Sequence, residues 1–317
     1  MTCVAMRFRA FLLVLLLPLA LAACGTPRVL ELSQAPKADI AGTVQIYVAT
    51  TREVSAQPVY FSGERGPKLS FARLDITVPR SHKPGNLELP DSGPGDPAKH
   101  FTATYIQKLD LAPIVSDVRK ELQRRPASQR DVLVFVHGYN TNFADAAYRF
   151  AQIVYDSGFK GVPVLFTWAS AGQLTKYVYD MNSALSARPK LGELARLLSK
   201  TNASGFDVFA HSMGTLLTME GLLQLDLQGQ LGKQGRLNTI VLAAPDIDID
   251  LFKSQLSQLK YGKDKIYVLV SADDGALRVS RILSGGVDRA GQANAEEVAA
   301  LGVNVIDLSK IDDSSAG

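Results

Sequence analysis

Ser212 stands in the run Phe206-Asp207-Val208-Phe209-Ala210-His211-Ser212-Met213-Gly214, and that setting could turn a hydroxyl into a nucleophile. A short apolar stretch ends abruptly at Ala210-His211-Ser212-Met213-Gly214, and a helical pattern follows at once. This is the form of an elbow in which a sharp strand-to-helix turn lifts a serine out of a sheet. Small residues are needed on both sides of the serine, because the turn is strained and the helix runs close to the strand. Ala210 takes the place of the first glycine in the G-x-S-x-G form and is still small. The chemistry expected of such a serine is attack on a carbonyl carbon, with Ser212 as the catalytic nucleophile.

A serine hydroxyl attacks only if a base takes its proton, and the oxyanion that develops needs donors. One donor is the backbone N–H of the residue after the serine, Met213. The second belongs to a loop after an early central strand, and His137-Gly138-Tyr139-Asn140-Thr141-Asn142 directly follows the apolar run Asp131–His137. Gly138 lets the backbone approach a substrate, and the second donor is assigned to the N–H of Tyr139, with Asn140 as the alternative. The plainer reading is that His137-Gly138 only makes a tight turn.

These residues need a sheet to hold them. Thr43–Thr50 and Leu69–Val78 alternate in polarity, and Phe101–Leu109 is a further candidate strand, so the N-terminal part reads as antiparallel edge strands. Residues 79 to 99 hold five of the fifteen prolines and form a loop. Beyond Leu111 the apolar runs Asp131–His137, Val162–Trp168, Phe206–His211, Asn238–Ala244, Lys265–Ser271 and Val303–Leu308 read as strands. Between them lie helical patterns at Phe143–Tyr155, Leu174–Ser199 (broken near Pro189), Thr215–Leu227, Leu251–Leu259 and Ala276–Leu283, with Ile114–Leu122 before the first. That alternation predicts βαβ units, a largely parallel sheet and a site at the carboxyl ends of the strands, where Ser212 lies.

Five motifs in order carry a family resemblance: Phe135-Val136-His137-Gly138-Tyr139-Asn140, Phe166-Thr167-Trp168-Ala169-Ser170-Ala171-Gly172, Ala210-His211-Ser212-Met213-Gly214, Ala244-Pro245-Asp246-Ile247-Asp248 and Ser271-Ala272-Asp273-Asp274-Gly275-Ala276-Leu277. Over roughly residues 42 to 310 the chain resembles the bacterial α/β-hydrolase branch long catalogued as a domain of unknown function and often seen as predicted esterases. The resemblance implies an α/β-hydrolase fold, with a mostly parallel central sheet and helices on both faces. It also implies a Ser…Asp…His order.

The acid it implies is Asp274, just past the strand before the last, with Asp273 adjacent and Asp246 a second candidate. Asp246, Asp248 and Asp250 read equally as a solvated loop with a helix N-cap, and a calcium site there lacks the further ligands it would need. The base is expected after the last strand, yet Ser309 to Gly317 contains no histidine and none follows His211. Two readings follow: a chain cut short of its histidine loop and last helix, which is favoured, or a naturally short, impaired homologue. Loss of that helix would expose apolar sheet surface. His137 belongs to the loop, His211 is expected to pack beneath the elbow, and His82 and His100 flank the proline-rich loop. Tyr177, Tyr179 and Met181 could line an acyl pocket or simply pack on the sheet, with Trp168 as a pocket wall.

Residues 1–23 carry Arg7 and Arg9 before the uncharged run Phe11–Ala23, which fits a secretory signal rather than a span. Leu21-Ala22-Ala23-Cys24-Gly25 resembles a lipobox, so Cys24 is the expected lipidation site, the alternative being an ordinary Ala-x-Ala signal. Residues 24–40 then read as a lipid-anchored tether and 41–317 as the hydrolase domain. Gly25, rather than aspartate, points to an outer-membrane lipoprotein facing the periplasm. Cys3 would be removed and Cys24 consumed, leaving no disulfide. Removing Arg7 and Arg9 takes Lys+Arg from 34 to 32 against 31 acidic residues, and no basic run argues for nucleic acid. The expected partner is a small-molecule or lipid-like ester, and no cofactor or metal is implied.

Overall fold

Every residue of β4 (Val132–Val136) is apolar because protein lies against both of its faces. Val132, Val134 and Val136 point into one core, while Phe135 points into a second on the other side of the sheet. The computed structural model in which this is seen describes residues 28–231, 236–271, 277, 280–281 and 286–309.

The sheet has nine strands in the order β3-β2-β1-β5-β4-β6-β7-β8-β9. β1 (Ile40–Val54), β2 (Phe61–Pro79) and β3 (Thr102–Leu109) pair antiparallel at one edge. β1 then joins β5 (Val162–Thr167) in parallel, and β4, β6 (Phe206–His211), β7 (Leu237–Ala243), β8 (Ile266–Val270) and β9 (Asn304–Asp307) continue parallel. The antiparallel edge and parallel centre follow the expected arrangement, with β1 and β2 longer than their alternation suggested.

One face is covered by α1 (Leu111–Gln123), α3 (Tyr177–Leu198), α4 (Met213–Leu227), α5 (Ile249–Gln258) and α6 (Ala295–Ala299), whose apolar residues share a core with the sheet. The other is covered by α2 (Phe143–Asp156), packed over β1, β2, β4 and β5. On that second face beyond β4, Phe209, Val241, Tyr267 and Leu269 are half-buried, and Ile306 is exposed. Arg28 pairs with Asp145 at 2.8 Å and Leu30 is buried, so residues within the expected 24–40 tether already pack on the domain.

The expected break at Pro189 does not occur, and α3 runs through it. Pro189 is exposed, so the carbonyl it leaves unpaired one turn earlier lies on the watered side of the helix. α4 begins two residues earlier than its apolar pattern, at Met213, immediately after the serine. The helix expected at Ala276–Leu283 falls largely outside the described residues. Among the described residues no helix is long and apolar enough to cross a membrane.

Gly214 is what allows α4 to start so close to β4. A β-carbon there would overlap the carbonyl oxygens of Val136 and His137, both backbone atoms that cannot swing aside. Gly214→Ala is therefore expected to lower unfolding stability by about 1–3 kcal/mol, measured by urea denaturation; an unchanged midpoint would contradict the close approach.

Candidate active site

Ser212 has φ 51° and ψ −127°, a conformation that L-residues rarely adopt. It survives because both of its backbone groups are tied. Its N–H donates to the Ala243 carbonyl at 2.9 Å, and its carbonyl accepts from the Thr215 N–H (2.9 Å), the Thr215 hydroxyl (2.6 Å) and the Asp246 N–H (3.4 Å). β7 and the first turn of α4 thus hold the elbow from either side. Met213 is the first helical residue, so its N–H has no carbonyl partner within the helix.

The loop after β4 meets this elbow. A β-carbon on Gly138 would sit 2.8 Å from the Ser212 Cβ and 2.9 Å from His211 Nδ1. The two turns singled out from sequence are therefore in contact, and only a glycine leaves room between them. His211, expected beneath the elbow, is instead exposed, with its ring against Gly138. The strand's alternation puts it on the same face as half-buried Phe209, where among the described residues no helix covers it.

Two buried charges hold the loop, and neither was singled out from sequence. The Arg52 guanidinium, at the end of β1, donates to Thr167 Oγ1 (2.8 Å), the Ser62 carbonyl (3.2 Å), the Ser170 carbonyl (2.8 Å) and the Thr141 carbonyl (2.7 Å), and lies 3.4 Å from His137 Nε2. Burial pulls its pKa down to about 9, against the pull of Asp180. The Asp180 carboxylate, at the start of α3, accepts from the Asn140 N–H (3.1 Å), the Ala171 N–H (2.8 Å) and the Ser170 hydroxyl (2.5 Å). Burial raises its pKa, while these donors oppose the rise. Asn140, the alternative second oxyanion donor, thus spends its N–H on Asp180. A charged residue closing an apolar strand at the site's end of the sheet is the signal that could have found Arg52.

His137 is sealed beneath the loop. Its Nδ1 lies 2.9 Å from the Gly138 carbonyl and its Nε2 2.9 Å from Thr167 Oγ1, which with Arg52 makes Nδ1 the protonated nitrogen. Trp168, expected as a pocket wall, is fully buried: it stacks on His137 at 5.1 Å and donates to the His137 carbonyl at 2.9 Å. It supports the loop from below because β5 ends under it. His82 lies between Glu88 and Asp156, 2.7 Å from each, at the far end of α2 and on the order of 20 Å from the loop. His100 Nδ1 accepts from the Asp96 N–H at 3.1 Å within the proline-rich loop.

Asp246 is buried rather than solvated. The Tyr177 hydroxyl donates to it at 3.1 Å, Ser280 donates a short bond, and Arg289 Nε lies 3.3 Å away, near enough for charge pairing though not aligned for a hydrogen bond. Burial, then the Asp246 charge, push the Tyr177 hydroxyl up to about 12. The Tyr177 ring meets Tyr139 edge-on at 5.1 Å, which brings this cluster beside the loop. Asp248 is the cap of α5, accepting from the Asp250 and Leu251 N–H groups. Tyr179 bonds the Gly63 carbonyl at 3.1 Å on the β2 side. Leu174 (67% exposed) and Val178 (60% exposed) flank the loop with apolar surface, and the Tyr139 hydroxyl donates to the Leu174 carbonyl. Asp273, Asp274 and Cys24 lie outside the described residues.

Residues 114–316 match the family described as an alpha/beta hydrolase of unknown function. Among solved structures, a brefeldin A esterase, titled a bacterial homologue of human hormone-sensitive lipase, is similar at 12% identity over 87% of this chain and 70% of that one, with a TM-score of 0.35. No curated protein matches the chain.

Burial and the Arg52 charge hold the His137 pKa at about 3, against an ordinary value of 6.5. As pH falls, the unfolded chain takes up this proton first, so stability is complete above about pH 6.5 and declines from there towards pH 3. Wild-type protein is expected to lose about 2 kcal/mol from this group between about pH 7 and pH 5, and His137→Gln to lack that component. Urea unfolding at both pH values measures it; equal losses in the two proteins would rule out a sealed neutral imidazole.

Proposed function

The chain belongs to the α/β-hydrolase family of unknown function, and from that membership we propose that it hydrolyses a carboxylic ester through an acyl-Ser212 intermediate. The observation that supports this reading is the contact of the strained Ser212 turn with Gly138, at the start of the His137–Asn142 loop. Strain of this kind collects at functional sites and has no packing purpose at a half-buried serine.

In this reading the Ser212 hydroxyl adds to the ester carbonyl carbon as its proton passes to a base. The oxyanion is met by the N–H groups of Met213 and Tyr139. The carbon–oxygen bond to the alcohol then breaks, the alcohol takes up the proton, and water releases the acid from Ser212 by the same route in reverse roles. Asp274, after β8, is the proposed acid. Asp246 is the alternative, although its carboxylate already serves Tyr177, Ser280 and Arg289. Amide or thioester cleavage differs only in the leaving group. Exposed Leu174 and Val178 beside the loop suit a substrate with an apolar acyl part.

A second reading, an impaired hydrolase that binds rather than turns over, is favoured by the histidines. His137 is sealed, His82 is clamped far away, His100 belongs to the proline-rich loop, and His211 lies against Gly138. We further propose that Cys24 is lipidated and anchors the domain at the outer membrane, facing the periplasm. The support is the charged, then apolar, then small-residue sequence that leads to it.

A fluorophosphonate probe is expected to label the wild-type chain and to leave Ser212→Ala unlabelled. Labelling of neither would place the binding reading first, and equal labelling of both would remove Ser212 as nucleophile. Cys24→Ser is expected to move the protein from the membrane to the soluble fraction on cell fractionation; retention there would end the anchor proposal.

A further inference from the structure

At the amino-terminal end of the strands, away from Ser212, α3, α4 and the first residues of β6 and β7 line a cavity of about 500 Å³. Phe206 opens β6 on its wall, and the length of that strand, ~20 Å, separates it from the serine. The cavity is therefore not part of the site described above.

Its walls are hydrocarbon: Leu191 and Leu194 of α3, Leu222 and Leu225 of α4, and Phe206 and Val208 of β6. Water inside such walls would find few partners. The mouth is different. Among the described lining residues, Arg196, Arg236 and Lys265 stand there with one carboxylate, Asp264. Arg196 reaches the neutral Gln230 amide oxygen at 3.4 Å. Arg236 is braced by the carbonyls of Ala203 (3.2 Å) and Ser199 (3.0 Å), and Lys265 lies 3.8 Å from Asp264. Exposed Tyr261 adds an aromatic edge to the rim.

An apolar interior selects a chain, and a mouth that carries guanidinium and ammonium groups selects a negative head. We propose that this cavity binds a free long-chain fatty acid, with its tail among the leucines and its carboxylate at the cationic rim. A carboxylate there forms charge-assisted hydrogen bonds to a guanidinium whose planar fork matches its two oxygens. The volume lies within the range of small-ligand pockets and suits one extended acyl chain. This inference is independent of chemistry at Ser212.

The test titrates the full chain with cis-parinaric acid, read by fluorescence, and displaces it with dodecanoate or dodecanol. Saturable binding is expected, with dodecanoate the better competitor by about tenfold, the weight of one charge-assisted hydrogen bond. Ala195→Phe, which fills the cavity, is expected to abolish binding, and Arg196→Glu to weaken it about tenfold. Leu174→Ser, beside the His137–Asn142 loop, is expected to leave it unchanged. Where Ala195→Phe unfolds, Ala195→Leu and Arg196→Glu carry the test. No saturable binding, binding that survives both cavity variants, or equal displacement by the alcohol would overturn the proposal. So would loss of binding in Leu174→Ser, or a dimer that disappears in Ala195→Phe and marks the cavity as a contact between copies.

Discussion

The guanidinium of Arg52 is a full charge taken out of water, and the site is arranged around satisfying it. An arginine has five N–H donors, and five acceptors converge here: Thr167 Oγ1, His137 Nε2 and the carbonyls of Ser62, Ser170 and Thr141. They come from β2, the end of β5 and the loop after β4. Moving any of these segments would strand a donor in a dry interior, which costs far more than the bond itself contributes. Asp180 completes the arrangement from the other side by taking the Asn140 N–H. Tyr139 therefore lies between anchored neighbours, and the direction of its amide is set without any bond of its own being needed for the purpose.

The serine turn depends on the opposite kind of device, the absence of atoms. Gly138 and Gly214 leave space that a β-carbon would close, one towards the Ser212 side chain and the other towards the backbone of β4. With that space available, the bonds from Ala243, Thr215 and Asp246 can hold a backbone conformation that would otherwise relax. A cation that must be surrounded fixes the loop, while two missing side chains admit the elbow beside it.

Much of this was legible in the residues, and for definite reasons. The run Val132–Val136 has no polar interruption because both of its faces are buried, and Ala210 to Gly214 are small because two backbones meet there. Local rules of that kind can be read along the chain. Arg52 and Asp180 were harder to read, since each gets most of its meaning from distant partners, up to 118 positions away for Arg52 and up to 40 for Asp180. Pro189 misled because its exposure decides whether a helix tolerates it, and exposure is a tertiary fact. Asp246 misled in the same way: three neighbouring aspartates suggest a wet loop, but only Asp248 behaves as a cap, and Asp246 turns inward to Tyr177 and Arg289.

The uneven cover of the sheet has a mechanical consequence. Among the described residues, the strands from β1 to β4 lie between two layers, whereas β7, β8 and β9 carry helices on one side and half-buried Val241, Tyr267 and Leu269 on the other. Amide protons in the second group should trade with solvent sooner, because opening it uncovers less hydrocarbon. β6, which leads into the serine turn, lies between the two groups. The His137–Asn142 loop rides on the first and Asp246 on the second, so breathing of the second group would shift the one relative to the other.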